Sequence, residues 1–297
     1  MIKDLIILDG GMGRELQERG LIAVRSIWSA AALIDHPKVV RDVHEAFIAA
    51  GAEVITTNSY GVVPSLLAVE QMEDRLPELL AAACRLAQEA REAGGKDVRI
   101  AGSLPPLETS YRPDLIGDEE TLLRQYLEIA KHLKANGVDL LLGETLTTSR
   151  EARAAARAAD CVGLPAWISW SLEDDANGLL RSGERLKEAV AALAGLAVDA
   201  LLFNCCSVEA VSAAIPRLRE LTGLPIGAYA NNFIPLPKNY EMGDGASEGG
   251  GHPLRKDLPI SGYIGHAKRW RADGASIIGG CCGIGPPYIR ALALELT

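Results

Sequence analysis

Four of the six cysteines stand in two adjacent pairs, Cys205-Cys206 and Cys281-Cys282. Six cysteines in 297 residues are too few for a disulfide scaffold. Clusters of this kind in a reducing compartment are more often metal ligands or catalytic groups than bridges. Three thiolates with one open position form a zinc geometry suited to chemistry, and sulfur ligands exclude hard cations such as magnesium or calcium. Neighbouring side chains on a regular strand point to opposite faces. Two adjacent cysteines therefore share one ion only where the strand has ended and the backbone turns. Gly279, Gly280 and Gly283 permit such a turn around Cys281-Cys282, because glycine tolerates positive φ. No glycine flanks Cys205-Cys206, so one of that pair is expected at the site and the other facing elsewhere. Each cysteine taken alone also fits burial as a small hydrophobe, and a strained redox disulfide between Cys281 and Cys282 is a further alternative. Cys84 and Cys161 read as core residues. His36, His44, His132, His252 and His266 show no metal spacing and read as caps, surface residues or core polar groups. Glu144 closes an otherwise apolar run, where a carboxylate either pairs with a basic side chain or holds the ammonium group of a substrate.

Positioning these groups falls to short apolar runs separated by amphipathic segments. The runs are Ile6–Asp9, Val54–Thr57, Arg99–Ser103, Leu140–Glu144, Ala166–Ser171, Ala200–Asn204, Ile226–Tyr229 and Ser276–Gly279. Each is nearly continuous in apolar residues, as strands buried on both faces should be. Helices are expected at Lys38–Ala50, Glu119–Asn136, Ser149–Asp160, Glu184–Leu196 and Val208–Leu221, several ending at or before a glycine. Eight strands alternating with helices predict a single (β/α)8 TIM barrel spanning residues 1–297. A dinucleotide-binding sheet would want G-x-G-x-x-G after the first strand, and Gly10-Gly11-Met12-Gly13-Arg14-Glu15 does not supply it. The segment 236–261 holds Gly243, Gly245, Gly249, Gly250 and Gly251 and reads as a long excursion before the last strand, either a functional lid or a plain insert. Active sites of such barrels lie at the C-terminal ends of the strands. There the sequence puts Asp9, Thr57, Ser103, Glu144, Ser171, Asn204, Cys205, Asn231, Cys281 and Cys282.

Composition narrows the partners. The net charge is −9 and no basic run occurs, which argues against nucleic acid. The most apolar stretch, Ala189–Cys206, is interrupted by Gly195 and Asp199 and is not expected to span a membrane. An acid within the first four residues argues against a signal peptide, so the chain is expected in the cytoplasm.

The sequence resembles the homocysteine S-methyltransferases in Asp9-Gly10-Gly11-Met12-Gly13-Arg14-Glu15-Leu16, Thr56-Thr57-Asn58-Ser59-Tyr60, Gly143-Glu144-Thr145, Asn204-Cys205 and Gly279-Gly280-Cys281-Cys282-Gly283. The similarity runs in order over nearly the whole chain, and the Asn-Cys followed by Gly-Gly-Cys-Cys-Gly is its most specific part. It implies a (β/α)8 barrel binding one Zn2+ through Cys205, Cys281 and Cys282. It also implies that Glu144 holds the amino group of homocysteine, with Asp9, Gly10 and Thr57 as further neighbours of the amino acid. No catalytic residue is implied beyond the zinc-activated substrate thiolate. The chain departs from the family at Leu202, often glycine, and at Tyr229-Ala230-Asn231, often Tyr-Pro-Asn. The implied small-molecule substrates are homocysteine and a methyl donor. S-methylmethionine is favoured, S-adenosylmethionine possible, and betaine or another thiol or selenol acceptor the alternatives. A barrel that has lost catalysis and binds an amino acid or zinc is the non-enzyme alternative. Folate and cobalamin domains are not expected within these 297 residues, which hold no Asp-x-His-x-x-Gly motif. For a cationic donor, Trp170, Tyr60 and Tyr229 are candidate aromatic faces, with simple core packing as the competing reading.

Overall fold

The computed structural model describes residues 5–21, 26–95, 97–238, 240 and 252–297. Eight strands form one parallel sheet: β1 (Ile6–Ile7), β2 (Val54–Thr56), β3 (Arg99–Leu104), β4 (Leu140–Leu146), β5 (Ala166–Trp170), β6 (Ala200–Asn204), β7 (Ile226–Tyr229) and β8 (Ala275–Ile278). The order β1-β8-β7-β6-β5-β4-β3-β2 runs once around. A parallel bridge between Leu8 and Val54 brings β1 against β2 and closes the ring. This is the expected (β/α)8 barrel.

Period-two alternation divides each strand's side chains between two cores. Leu8, Val54, Ala101, Leu140, Leu142, Trp167, Ala200, Leu202, Tyr229 and Ile277 fill the inside of the barrel. Ile7, Ile55, Ile100, Leu141, Ile168, Trp170, Leu201, Phe203, Ala228 and Ile278 face the surrounding helices. Glu144 shares the parity of Leu140 and Leu142, so the alternation carries it inward at the mouth. The same parity corrects one expectation: Trp170 lies in step with Ile168, faces the helices, and is fully buried. It offers no aromatic face to the site. Of the two family departures, Leu202 fills the barrel interior and Ala230 packs in the outer layer.

The helices start where polar caps follow the strand ends. Asp118 accepts the Thr121 amide at 3.0 Å and begins Glu119–Ala135. Thr148 and Glu151 form a reciprocal capping box at Ser149–Val162. Ser207 accepts the Ala210 amide at 3.1 Å and starts Val208–Leu221 immediately after the first cysteine pair. Leu76–Gly94, Ile260–Ala272 and Pro286–Leu296 add helices that the pattern reading lacks. Gly262 and Gly265 dilute the apolar stripe of Ile260–Ala272, which begins inside the segment read as an excursion. Residues 239 and 241–251 of that segment, including all five of its glycines named above, lie outside the described residues. Cys84 is buried as expected, but Cys161 is exposed. It stands two residues beyond buried Ala159 on the same helix, about 200° around its axis, and so faces solvent. No helix among the described residues is long and apolar enough to cross a membrane.

Candidate functional site

The thiols of Cys205, Cys281 and Cys282 converge at the C-terminal ends of β6 and β8, all three sulfurs within 4.8 Å of one another. Cys205 Sγ lies 3.7 Å from Cys282 Sγ, and Cys281 Sγ lies 4.0 Å from Cys282 Sγ. Three sulfurs held tetrahedrally at about 2.3 Å from one zinc ion stand about 3.8 Å apart. The donor set and its spacing therefore fit a thiophilic divalent ion.

Backbone geometry explains how adjacent cysteines divide or share their direction. Asn204 is the last residue of β6, and Cys205 turns into the left-handed region at φ +51°. That turn brings its sulfur to the mouth, while Cys206 stays buried in the outer core. Burial pushes the Cys206 thiol up, out of reach of ionisation. After β8 the turn is completed at Gly283, φ +80°, where a side chain would be strained. Within the cluster, hydrogen bonding from Cys281 and Cys282 holds Cys205 far below the ordinary thiol range. Those two thiols rise in return, so the first negative charge gathers on Cys205. Tyr111 donates its hydroxyl to Cys205 Sγ at 2.9 Å, and Asn231 Nδ2 stands 4.0 Å from it.

Two carboxylates enter the same mouth. Glu144 is 8% exposed and accepts a hydrogen bond from Ser103 Oγ at 2.6 Å. Among the described residues no basic side chain figures in the groups that set its ionisation, which disfavours the ion-pair alternative; burial raises its pKa to about 7. Asp9 accepts the Thr56 amide at 2.7 Å; burial, aided by the nearby charge of Glu144, raises it to about 8. Thr57 is buried, shares a hydrogen bond with Ser59 at 2.8 Å, and accepts the Ser103 amide at 3.2 Å. At Gly10 a Cβ would collide with the Ile284 carbonyl oxygen, so glycine there lets the chain leaving β8 pack against β1. The Tyr229 hydroxyl is buried beside Glu144 and Ser169 without a hydrogen bond of ordinary geometry to any described residue.

Two features lay beyond sequence reasoning. Asn204 does more than precede a cysteine. Its Oδ1 accepts from the Thr145 amide at 2.8 Å and from Ser169 Oγ at 2.7 Å, and its Nδ2 donates to Thr145 Oγ1 at 2.8 Å. Thr145 is thereby held at φ +59°, inside the irregularity that interrupts β4 pairing between Gly143 and Leu146. Asn204 thus fixes the bend beside Glu144. The second is Tyr111 itself, at φ +66° in the loop after β3. Tyr111, Thr145 and Cys205 are all non-glycine residues in the left-handed region, and such strain concentrates at working sites. Loop residues follow no periodicity, so only the polar Asn-Cys pair hinted at any of this. Of the remaining aromatic candidates, Tyr60 hydrogen-bonds Ser110 at 2.7 Å and stacks on Trp28, with ring centroids 5.9 Å apart.

Known proteins resemble this chain. A family profile described as homocysteine S-methyltransferase matches residues 6–296. The homocysteine S-methyltransferase of Escherichia coli (strain K12) is 32% identical, over 98% of this chain and 94% of that relative. A selenocysteine Se-methyltransferase of Brassica oleracea var. italica is 26% identical, over 98% of this chain and 88% of its own length. The crystal structure of the homocysteine methyltransferase MmuM from Escherichia coli in its metallated form superposes with a TM-score of 0.83 at 30% identity, covering 99% of this chain and 97% of that one. With a family match that spans β1 to the last helix, and a relative 32% identical over nearly the whole chain, the chain belongs to the homocysteine S-methyltransferase family.

Proposed function

We propose that this enzyme moves a methyl group from a sulfonium donor to the thiol of L-homocysteine, giving methionine, with one Zn2+ held by Cys205, Cys281 and Cys282. The observation that carries the reading is the pairing of three clustered thiols with two buried, cation-free carboxylates in one barrel mouth. Glu144 and Asp9 receive the substrate ammonium, which relieves the cost of burying their charge. Ser103 holds the Glu144 carboxyl in place through its hydroxyl, and Thr57 in turn accepts the Ser103 amide. A metal held by the three sulfurs would supply the Lewis acidity that keeps the substrate thiol ionised at neutral pH. The thiolate then forms a carbon–sulfur bond to the methyl group as the donor's carbon–sulfonium bond breaks, and a neutral thioether leaves. The chain contributes orientation and charge rather than a covalent intermediate.

Tyr60 and Tyr229 stand close enough to the thiols to feel their charge. Aromatic rings there suit a cationic donor, and S-methylmethionine is the donor we favour over S-adenosylmethionine or betaine. A second acceptor reading, a selenol in place of the thiol, draws on the selenocysteine Se-methyltransferase relative. The test is zinc per chain on protein dialysed under reducing conditions, followed by methyl transfer from each donor to homocysteine, cysteine and selenocysteine. One equivalent of zinc and fastest transfer from S-methylmethionine to homocysteine is the expected result. Zinc-free protein that takes none up, or faster transfer to selenocysteine, overturns the metal or the acceptor respectively.

A further inference from the structure

Behind the thiol cluster lies a buried ion pair that the proposed chemistry does not use. Arg181 Nη2 stands 2.7 Å from Asp174 Oδ2, with side-chain exposures of 2% and 5%. Buried ion pairs seldom repay their desolvation in stability, so their geometry is worth following. The Arg181 guanidinium carbon lies 4.9 Å from the centroid of the Tyr111 ring, and the Tyr111 hydroxyl donates to Cys205 Sγ at 2.9 Å. Asp174 anchors the arrangement at its other end. Its Oδ1 accepts the amide of Ser207 at 2.6 Å, the helix cap two residues after Cys205, and its Oδ2 accepts the Leu236 amide at 2.8 Å. Leu236 and Tyr240 in turn pack with Tyr111 and Cys205 over the cysteines.

We infer that Arg181 and Tyr111 form a charge-setting relay for Cys205, making both positioning residues for the reaction. A cation over the ring face draws electron density out of the phenol and makes its O–H a stronger donor. The stronger hydrogen bond removes negative charge from the Cys205 sulfur and fixes its direction. A less electron-rich Cys205 leaves a bound metal more able to acidify the substrate thiol. Asp174 holds the guanidinium over the ring and ties it to the turn that carries Cys205. This inference rests on the three-cysteine metal site proposed above.

Cobalt(II) substituted for zinc reads the relay directly, because the energy of the thiolate-to-metal charge-transfer band follows the electron density on sulfur. Tyr111→Phe should move that band to lower energy and weaken zinc, measured by chelator competition, by about 10- to 100-fold. Arg181→Lys keeps the charge and the Asp174 pair but loses the flat stack, and should shift the band the same way by less. Replacing Tyr111 with 3-fluorotyrosine strengthens the hydroxyl as a donor without changing the fold and should shift the band to higher energy. It decides the matter should Tyr111→Phe not fold. A purely structural role would leave the band in place in all folded variants, and that result overturns the relay. Wild-type protein that binds neither ion overturns the metal site, and the relay with it.

Discussion

Glu144 is the residue on which affinity and stability pull apart. It lies inside the barrel with one short hydrogen bond and no cation beside it among the described residues, and keeps its proton to about pH 7. In the unfolded chain a glutamate gives up its proton near the ordinary value of 4.5. Between those values the folded state binds the proton more tightly, so raising the pH favours unfolding, by about 3 kcal/mol once pH 7 is passed. Glu144→Gln keeps the Ser103 hydrogen bond and removes the titration. That variant should match the wild type near pH 4.5 and exceed its stability by about that amount at pH 8, by urea unfolding. It should also bind homocysteine at least about tenfold more weakly in calorimetric titration while keeping its metal. An equal stability difference at both pH values would place the cost elsewhere than in the carboxylate. Asp9, raised to about 8, works in the same direction.

Among the elements, the helix Pro37–Ala50 carries the opposite liability. His44 is fully buried on it, and both ring nitrogens lack a hydrogen-bond partner. Burial lowers its pKa from 6.5 to about 4. Above pH 6.5 the ring is neutral in both states. Between 6.5 and 4 only the unfolded chain takes the proton, so acidification costs the fold about 3 kcal/mol. His44→Leu should flatten this acid dependence and raise the unfolding midpoint most at pH 4 to 5; an unchanged pH profile would show that another group carries it. The helix was legible from Pro37 at its start and Gly51 at its end, but the isolation of His44 was not, because a histidine's partners depend on which helix packs over it. The strands were legible for a simpler reason. Burial on both faces makes each a continuous apolar run, and none of the eight was misplaced by more than two residues. Which face each strand residue takes went unread: Trp170 was expected at the mouth, and the alternation turns it out while it turns Glu144 in. What the strand pattern could not carry was the behaviour of the turns, where Thr145 and Cys205 leave the regular backbone and where Tyr111 and Arg181 come together from separate loops. The clustering of Cys205 with Cys281 and Cys282 was expected from glycine placement and family likeness, but the hydrogen bonds that set their charge were not.

At the scale of the whole molecule, the barrel is fastened unevenly. Register pairs join β3 to β4 over Ala101–Leu104 and β4 to β5 from Leu141 onward, whereas β1 is two residues long. Its contact with β2 rests on the Leu8–Val54 bridge, the amide bonds from Asp9 to Val54 at 3.0 Å and from Glu53 to Ile7 at 2.7 Å, and the Ile7 amide's bond to the Glu53 carboxylate at 3.2 Å. The Asp9 carboxylate adds one more stitch across the same gap by accepting the Thr56 amide at 2.7 Å. Local opening begins where backbone bonds are fewest. Native-state hydrogen exchange should find the Glu53, Thr56 and Asp9 amides exchanging faster than those of β4 to β6, and slowing when homocysteine binds. Uniform protection around the ring would exclude such a seam. A cylinder laced loosely along one line breathes along that line, and here the line runs through Asp9. The amino-acid end of the pocket would then ride on the supple side of the barrel, able to part for an entering molecule, while the thiols across the mouth keep their spacing.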